Sequence, residues 1–146
     1  MSMRVVIDTC VWVAAMRSQR GASFRILSLV PRSEFRFGIS VALYLEYQQA
    51  LLRLGQGHGE QAERARIRAV LAALARFGDE VPVFYRLRPN LKDPGDDMVF
   101  ECAVHYGASH IVTFNTSDFE RREVTGYDIK TITPREFLLL LKETVL

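Results

Sequence analysis

Acidic side chains fall in three places along this chain where their neighbours make chemistry plausible. The densest is Asp93 to Phe119, DPGDDMVFECAVHYGASHIVTFNTSDF. Asp93 before Pro94 has the form of a helix N-cap with proline at the first helical position, and Asp96 falls where a carboxylate can return a bond to that cap. Asp97 has no capping task left. It stands one turn before Glu101, so the two carboxylates share a helix face, while Val99, Cys102, Ala103 and Tyr106 form the opposite, apolar stripe expected to meet a core. The second place is Asp8, at the end of Val5-Val6-Ile7. The third is Glu46, which shares a stripe with Ala42, Leu43 and Ala50, so that its carboxylate either reaches a cation or carries a heavy desolvation cost. Each also has an ordinary reading: Asp8 as the N-cap of a helix through Val11 to Met16, and Glu46 as a surface residue.

The elements that must position these groups are legible from pattern. Val5-Val6-Ile7 is an unbroken apolar run, which suits a buried parallel strand, and Asp8 emerges at its C-terminal end. That end is where open α/β sheets bind ligands. A second helix covers Ser23 to Val30, with Pro31 ending it. Phe35 to Ile39 reads as a strand, and Ser40 as the N-cap of a helix through about Leu54 that Gly55 and Gly57 terminate. Gln56 to Gly59 is a turn, Glu60 to Phe77 a long helix with Ile67, Val70, Leu71 and Leu74 on one face, and Gly78 its stop. Val81 to Tyr85 is the third strand, which Pro82 confines to an edge or a strand start. Leu87 to Lys92 leads into the acidic helix, and Gly107 ends that helix in the left-handed position. His110 to Phe114 is a buried strand, Asn115 to Asp118 a polar turn, Glu120 to Glu123 a charged loop or short helix, and Ile129 to Ile132 the last strand. Pro134 to Val145 is a terminal helix whose Leu138 to Leu141 run is too apolar for one face and so suits a partner as well. This alternation predicts an α/β fold, a three-layer α/β/α sandwich around a central parallel sheet, as a single domain over residues 1–146.

In such a sheet Asp8, Asp97 and the Asn115 to Asp118 turn fall at one edge, with Glu46 less than two helical turns from Ser40. Carboxylates gathered there repel one another unless a cation neutralises them. Oxygen donors without a His/Cys cluster select Mg2+ or Mn2+. Hard cations suit phosphoryl chemistry, since they ionise a water, hold the scissile phosphate and stabilise the leaving oxygen without a histidine base or a serine nucleophile. His58, His105 and His110 lack ligand spacing. A Walker A loop, GxGxxG and GxSxG are all absent, which removes support for nucleoside-triphosphate, dinucleotide and α/β-hydrolase chemistry.

Composition agrees with one well-formed core: 146 residues, 49% hydrophobic. The net charge of +2 is unevenly spread, because residues 1–92 hold 14 Lys+Arg and 7 Asp+Glu, whereas residues 93–146 hold 5 and 10. A basic first part beside an acidic second one suits a polyanion drawn around a cation-holding pocket. Arg17, Arg20 and Arg25 are the candidates for phosphate contacts. Cys10 and Cys102 lack metal or disulfide spacing and read as buried thiols. With no apolar run near the ~20 residues of a membrane span and no signal peptide, the expected location is the cytoplasm, with no membrane partner.

Four stretches, in this order and spacing, resemble the PIN domains, and among them the VapC-like toxin ribonucleases of toxin-antitoxin pairs: Val5-Val-Ile-Asp-Thr9, Ser40-Val-Ala-Leu-Tyr-Leu-Glu46, Asp93-Pro-Gly-Asp-Asp97 and Thr113-Phe-Asn-Thr-Ser-Asp-Phe119. The resemblance covers nearly the whole chain. It implies a metal-dependent endoribonuclease that hydrolyses RNA phosphodiesters, with Asp8, Glu46 and Asp97 at the positions that hold Mg2+ or Mn2+ and Thr9 as a hydroxyl beside the first aspartate. It also implies a homodimer held inactive by a small antitoxin. Two departures stand out: Asn115 occupies a position where many relatives carry aspartate, leaving Asp118 as the nearest carboxylate, and Cys10 stands where asparagine is common. The expected catalytic set is therefore Asp8, Glu46, Asp97 and Asp118, with Asn115 joining them as a metal ligand. A PIN domain that binds nucleic acid or antitoxin without cutting, and a receiver-like phosphorylated domain, are the alternatives.

Overall fold

The first strand, β1 (Arg4–Ile7), needs cover on both faces, because Val5, Val6 and Ile7 are all apolar and successive side chains point to opposite sides. All three are fully buried in the computed structural model, which describes residues 3–54, 61–84, 94–119 and 127–145, with 94–95 and 143–145 as backbone only. Helices therefore pack on both faces of the sheet, as the continuous apolar strands require. After β1 come α1 (Thr9–Arg17), α2 (Ala22–Leu29), a single 3-10 turn, β2 (Arg36–Ile39), α3 (Val41–Leu54), α4 (Gln61–Phe77), β3 (Asp79–Glu80), α5 (Pro94–Tyr106), β4 (His110–Val112), a second 3-10 turn (Thr116–Phe119), β5 (Lys130–Ile132) and α6 (Pro134–Val145). The described strands form a five-stranded sheet in the order β3-β2-β1-β4-β5, and every pairing is parallel.

Local rules account for most boundaries. The Leu43 N–H donates to Ser40 Oγ at 3.1 Å, so Ser40 caps α3 as its residue type suggests. Gly107 adopts φ 69 after α5, the left-handed stop expected of it. The third strand differs: it is Asp79–Glu80, two residues before the expected Val81 to Tyr85. The Val81 N–H still reaches the Ile39 carbonyl at 3.0 Å, and then Pro82, with no N–H, ends the ladder. Likewise β4 stops at Val112, leaving Phe114 outside the strand and half exposed. The expected cap at Asp93, the Gln56–Gly59 turn, the Leu87–Lys92 lead-in and the Glu120–Glu123 segment lie outside the described residues.

Helix α5 is the element that most exceeds its sequence pattern. An amphipathic helix with one acidic and one apolar face was expected, yet Asp97 is 3% and Glu101 2% exposed, as buried as Val99, Cys102 and Ala103. The reason is position: α5 packs against β1, β2, β4 and α3, so both of its faces meet protein. Its C-terminal end docks through Tyr106, whose hydroxyl donates to Asp79 Oδ2 and whose ring lies over Gly38 of β2. A Cβ at Gly38 would stand 2.6 Å from Tyr106 Cδ2 and 2.8 Å from Val81 Cγ2. Gly38→Ala is expected to destabilise the protein by about 1–3 kcal/mol through overpacking and to displace the helix that carries Asp97. A fall in melting temperature would register it, and an unchanged melt would show that α5 does not depend on this contact.

The terminal helix resolves the leucine run. Phe137 and Leu141 enter the core, Leu138 is half-buried and Leu139 is exposed beside a groove of ≈ 650 Å³ bordered by Leu29, Arg25, Arg135 and Lys142. No helix of the described residues is long and apolar enough to cross a membrane.

Candidate active site

Asp8 is the first residue past β1, and its N–H continues the ladder to the Val112 carbonyl at 2.9 Å. It occupies the N-cap position of α1, but its side chain makes no capping bond. Instead its Oδ2 accepts from Thr113 Oγ1 at 2.7 Å and from Cys10 Sγ at 3.4 Å. The ordinary reading of Asp8 as a cap therefore fails. The register explains the new bond: Ile7 pairs with Val112, so the next residues on the two strands, Asp8 and Thr113, lie side by side. Thr113 is fully buried, and its hydroxyl also accepts the Asn115 N–H at 3.0 Å, which ties the turn after β4 to the aspartate. Burial first, and then the charge of Asp8, push the Cys10 thiol up to about 12, so at neutral pH it remains a protonated donor. Its effect is thus on the carboxylate to which it donates.

Glu46 reaches the same region through its neighbour. Tyr47 is fully buried, and its hydroxyl donates to the Ile7 carbonyl, one residue before Asp8. Burial raises the Tyr47 hydroxyl well above its ordinary range, with Cys102, Asp8 and Glu46 adding to the same direction. One phenol thus senses groups from β1, α3 and α5. The expected stripe needs correction: α3 buries Leu43, Tyr47 and Leu51, while Ala42, Glu46 and Ala50 border that stripe and are half-buried. Asp97 is in the first turn of α5, and Cys102, further along that helix, contacts Ser40 at the end of β2. Helices α1, α3 and α6 each begin within two residues of a strand's C-terminal end. Their N-termini offer partial positive charge to the acidic edge.

The remaining candidates are less closely joined. Asn115 and Asp118 are exposed, with the Asp118 N–H donating to the Asn115 carbonyl at 3.0 Å. Arg17 closes α1 nine residues on from Asp8, about 13 Å along the helix. Arg20 lies in the exposed turn beyond it, and Arg25 on α2 lines the groove beside α6. His105 Nδ1 meets the Glu101 carbonyl of its own helix at 2.8 Å, and His110 opens β4 at the opposite sheet edge. Among the described residues no group of three or more His, Cys, Asp or Glu side chains is assembled to hold a metal ion. The donor types nevertheless fit a hard cation, being carboxylate, amide and hydroxyl oxygens. Thr9 Oγ1, next to Asp8, is buried with no hydrogen-bond partner among the described residues, an unsatisfied oxygen that a ligand at this edge would satisfy.

A profile of the PIN domain matches residues 4–117. The chain belongs to the PIN domain family. This PIN domain also superposes on a chain in the crystal structure of VapBC2 from Rickettsia felis bound to a DNA fragment from their promoter, with a TM-score of 0.61. The match covers 90% of this chain and 98% of that one at 14% identity, a likeness of fold. Curated proteins give no sequence match. Membership sets aside the receiver-like alternative.

Thr113 is the residue at this edge whose role sequence reasoning missed. It lay inside a quoted motif, but only as the tail of a strand. A buried threonine directly after an apolar strand, followed by Phe-Asn, is the one local signal it left.

Proposed function

We propose that this PIN domain is a metal-dependent endoribonuclease, a single domain over residues 1–146, acting as the toxin of a toxin-antitoxin pair. The observation that carries the reading is the Asp8 carboxylate, 6% exposed at the C-terminal edge of the sheet, released from capping and oriented by Thr113 and Cys10. Asp8, Glu46 and Asp97 would hold Mg2+ or Mn2+, with Asn115 and Asp118 at the rim. When bound, such a cation supplies the charge that ionises an attacking water and steadies the leaving oxygen. The chain's own part is to fix Asp8 through Thr113 and to keep Cys10 protonated as a donor. RNA is the substrate, with Arg17, Arg20 and Arg25 as contacts to flanking phosphates. The likeness to VapBC2 supports an antitoxin partner, a homodimer is inferred with it, and the cytoplasm is the proposed location.

Purified protein incubated with an end-labelled single-stranded RNA pool is expected to cut it in Mn2+ or Mg2+ and not in EDTA. Asp97→Asn should lower the rate by about 10²-fold or more, the scale of removing one charge-stabilising group. Cleavage that survives EDTA, or a variant with parental turnover, would end the assignment. A second reading, binding without cutting, is favoured by Asn115, an amide in the acidic turn after β4. RNA retained intact at saturating Mn2+ would establish it.

A further inference from the structure

The turn after β4 presents one aromatic ring outward while burying another. Phe119, at the end of the second 3-10 turn, is 1% exposed and anchored in the core, whereas Phe114 is 50% exposed. A lone exposed phenylalanine needs no explanation on most surfaces. This one is held on both sides. Thr113 before it is fully buried, hydrogen-bonded to Asp8, and continues the sheet through its N–H to the Ile132 carbonyl at 2.9 Å. Asn115 after it donates its N–H to the same threonine hydroxyl at 3.0 Å. The Phe114 backbone also meets the Cys10 thiol. The backbone that carries the ring is thus fixed one residue from the side chain that orients Asp8, and Phe114 leaves half its surface to solvent.

We infer that Phe114 is a stacking platform for a nucleobase of the RNA strand next to the scissile phosphate, so that this site selects single-stranded over base-paired RNA. The inference rests on the ribonuclease reading. A planar ring stacks on any base, whereas bases paired inside a duplex cannot reach it. It commits the residue to binding and positioning, with the chemistry left to the carboxylates.

The test is binding in EDTA, where cleavage is not expected, using a fluorescent eight-nucleotide single-stranded RNA and the same sequence as a duplex. Phe114→Ala should weaken single-strand binding by about 10-fold or more, within the range of one lost base-aromatic stack. Duplex binding should be unaltered. Phe114→Trp should restore single-strand affinity and Phe114→Leu should not, since leucine is apolar but not planar. Three results overturn the inference: single-strand affinity of Phe114→Ala equal to that of the parent, an equal loss on the duplex, or full rescue by leucine. Parental cleavage in Mn2+ separates the two claims. A parent that cuts RNA while Phe114→Ala binds normally refutes stacking alone, and a parent that neither binds nor cuts refutes both.

Discussion

Asp8→Asn is expected to lower metal-dependent RNA cleavage by about 10²–10³-fold, while the metal-free protein melts close to the parent. The two parts have one cause. Asparagine has the shape of aspartate, and its amide oxygen can still accept the Thr113 hydroxyl that now bonds Oδ2 at 2.7 Å. What disappears is the negative charge that a divalent cation would bind. Stability and activity should therefore part company at this residue, because the isosteric change spares the packing and removes the charge. Melting with and without Mn2+ gives the clearest view. The parent should melt later when the metal is added, because a ligand that binds only the folded state stabilises it, and Asp8→Asn should shift much less. A variant with the parent's rate and metal-induced shift would remove Asp8 from the site.

Thr113→Val is the second large effect, and it falls on a residue with no expected chemical role. Valine matches threonine in shape but removes the hydroxyl that donates to Asp8 and accepts the Asn115 N–H at 3.0 Å. Loss of a group that orients a metal ligand typically costs about 10–100-fold in metal affinity or activity. Leaving the aspartate short of a donor in a buried setting costs about 1–3 kcal/mol of stability as well. Thr113→Ser keeps the hydroxyl and should recover most of the activity. That rescue distinguishes orientation from packing: if valine keeps the parent's cleavage and serine loses it, the methyl group matters and the hydrogen bond does not.

Local rules were enough for much of this fold. Unbroken apolar runs marked buried parallel strands, Ser40 marked the cap of α3, and Gly107 marked the end of α5, because hydrophobic period, capping and left-handed backbone depend on residues a few positions apart. Asp8 was legible for the same reason, as a carboxylate ending such a strand. What local rules left open all depends on packing between distant segments. The order β3-β2-β1-β4-β5 is one such outcome, and so is the early end of β3, where the ladder to β2 and Pro82 decided the limits. α5 looked amphipathic, yet its carboxylates are buried because the sheet and α3 enclose both its faces.

The bond from Thr113 to Asp8 joins residues 105 apart in the chain, and it exists only because the parallel register sets those two strand ends beside each other. The placing of Phe114 has the same origin, whereas Cys10 donates to Asp8 from two residues along the same turn. The residue types of the site could thus be read from a linear pattern of helix and strand signals. Which donor meets which carboxylate was decided by register and helix docking, since hydrogen bonds act over a few ångströms and only the assembled sheet brings such groups that close.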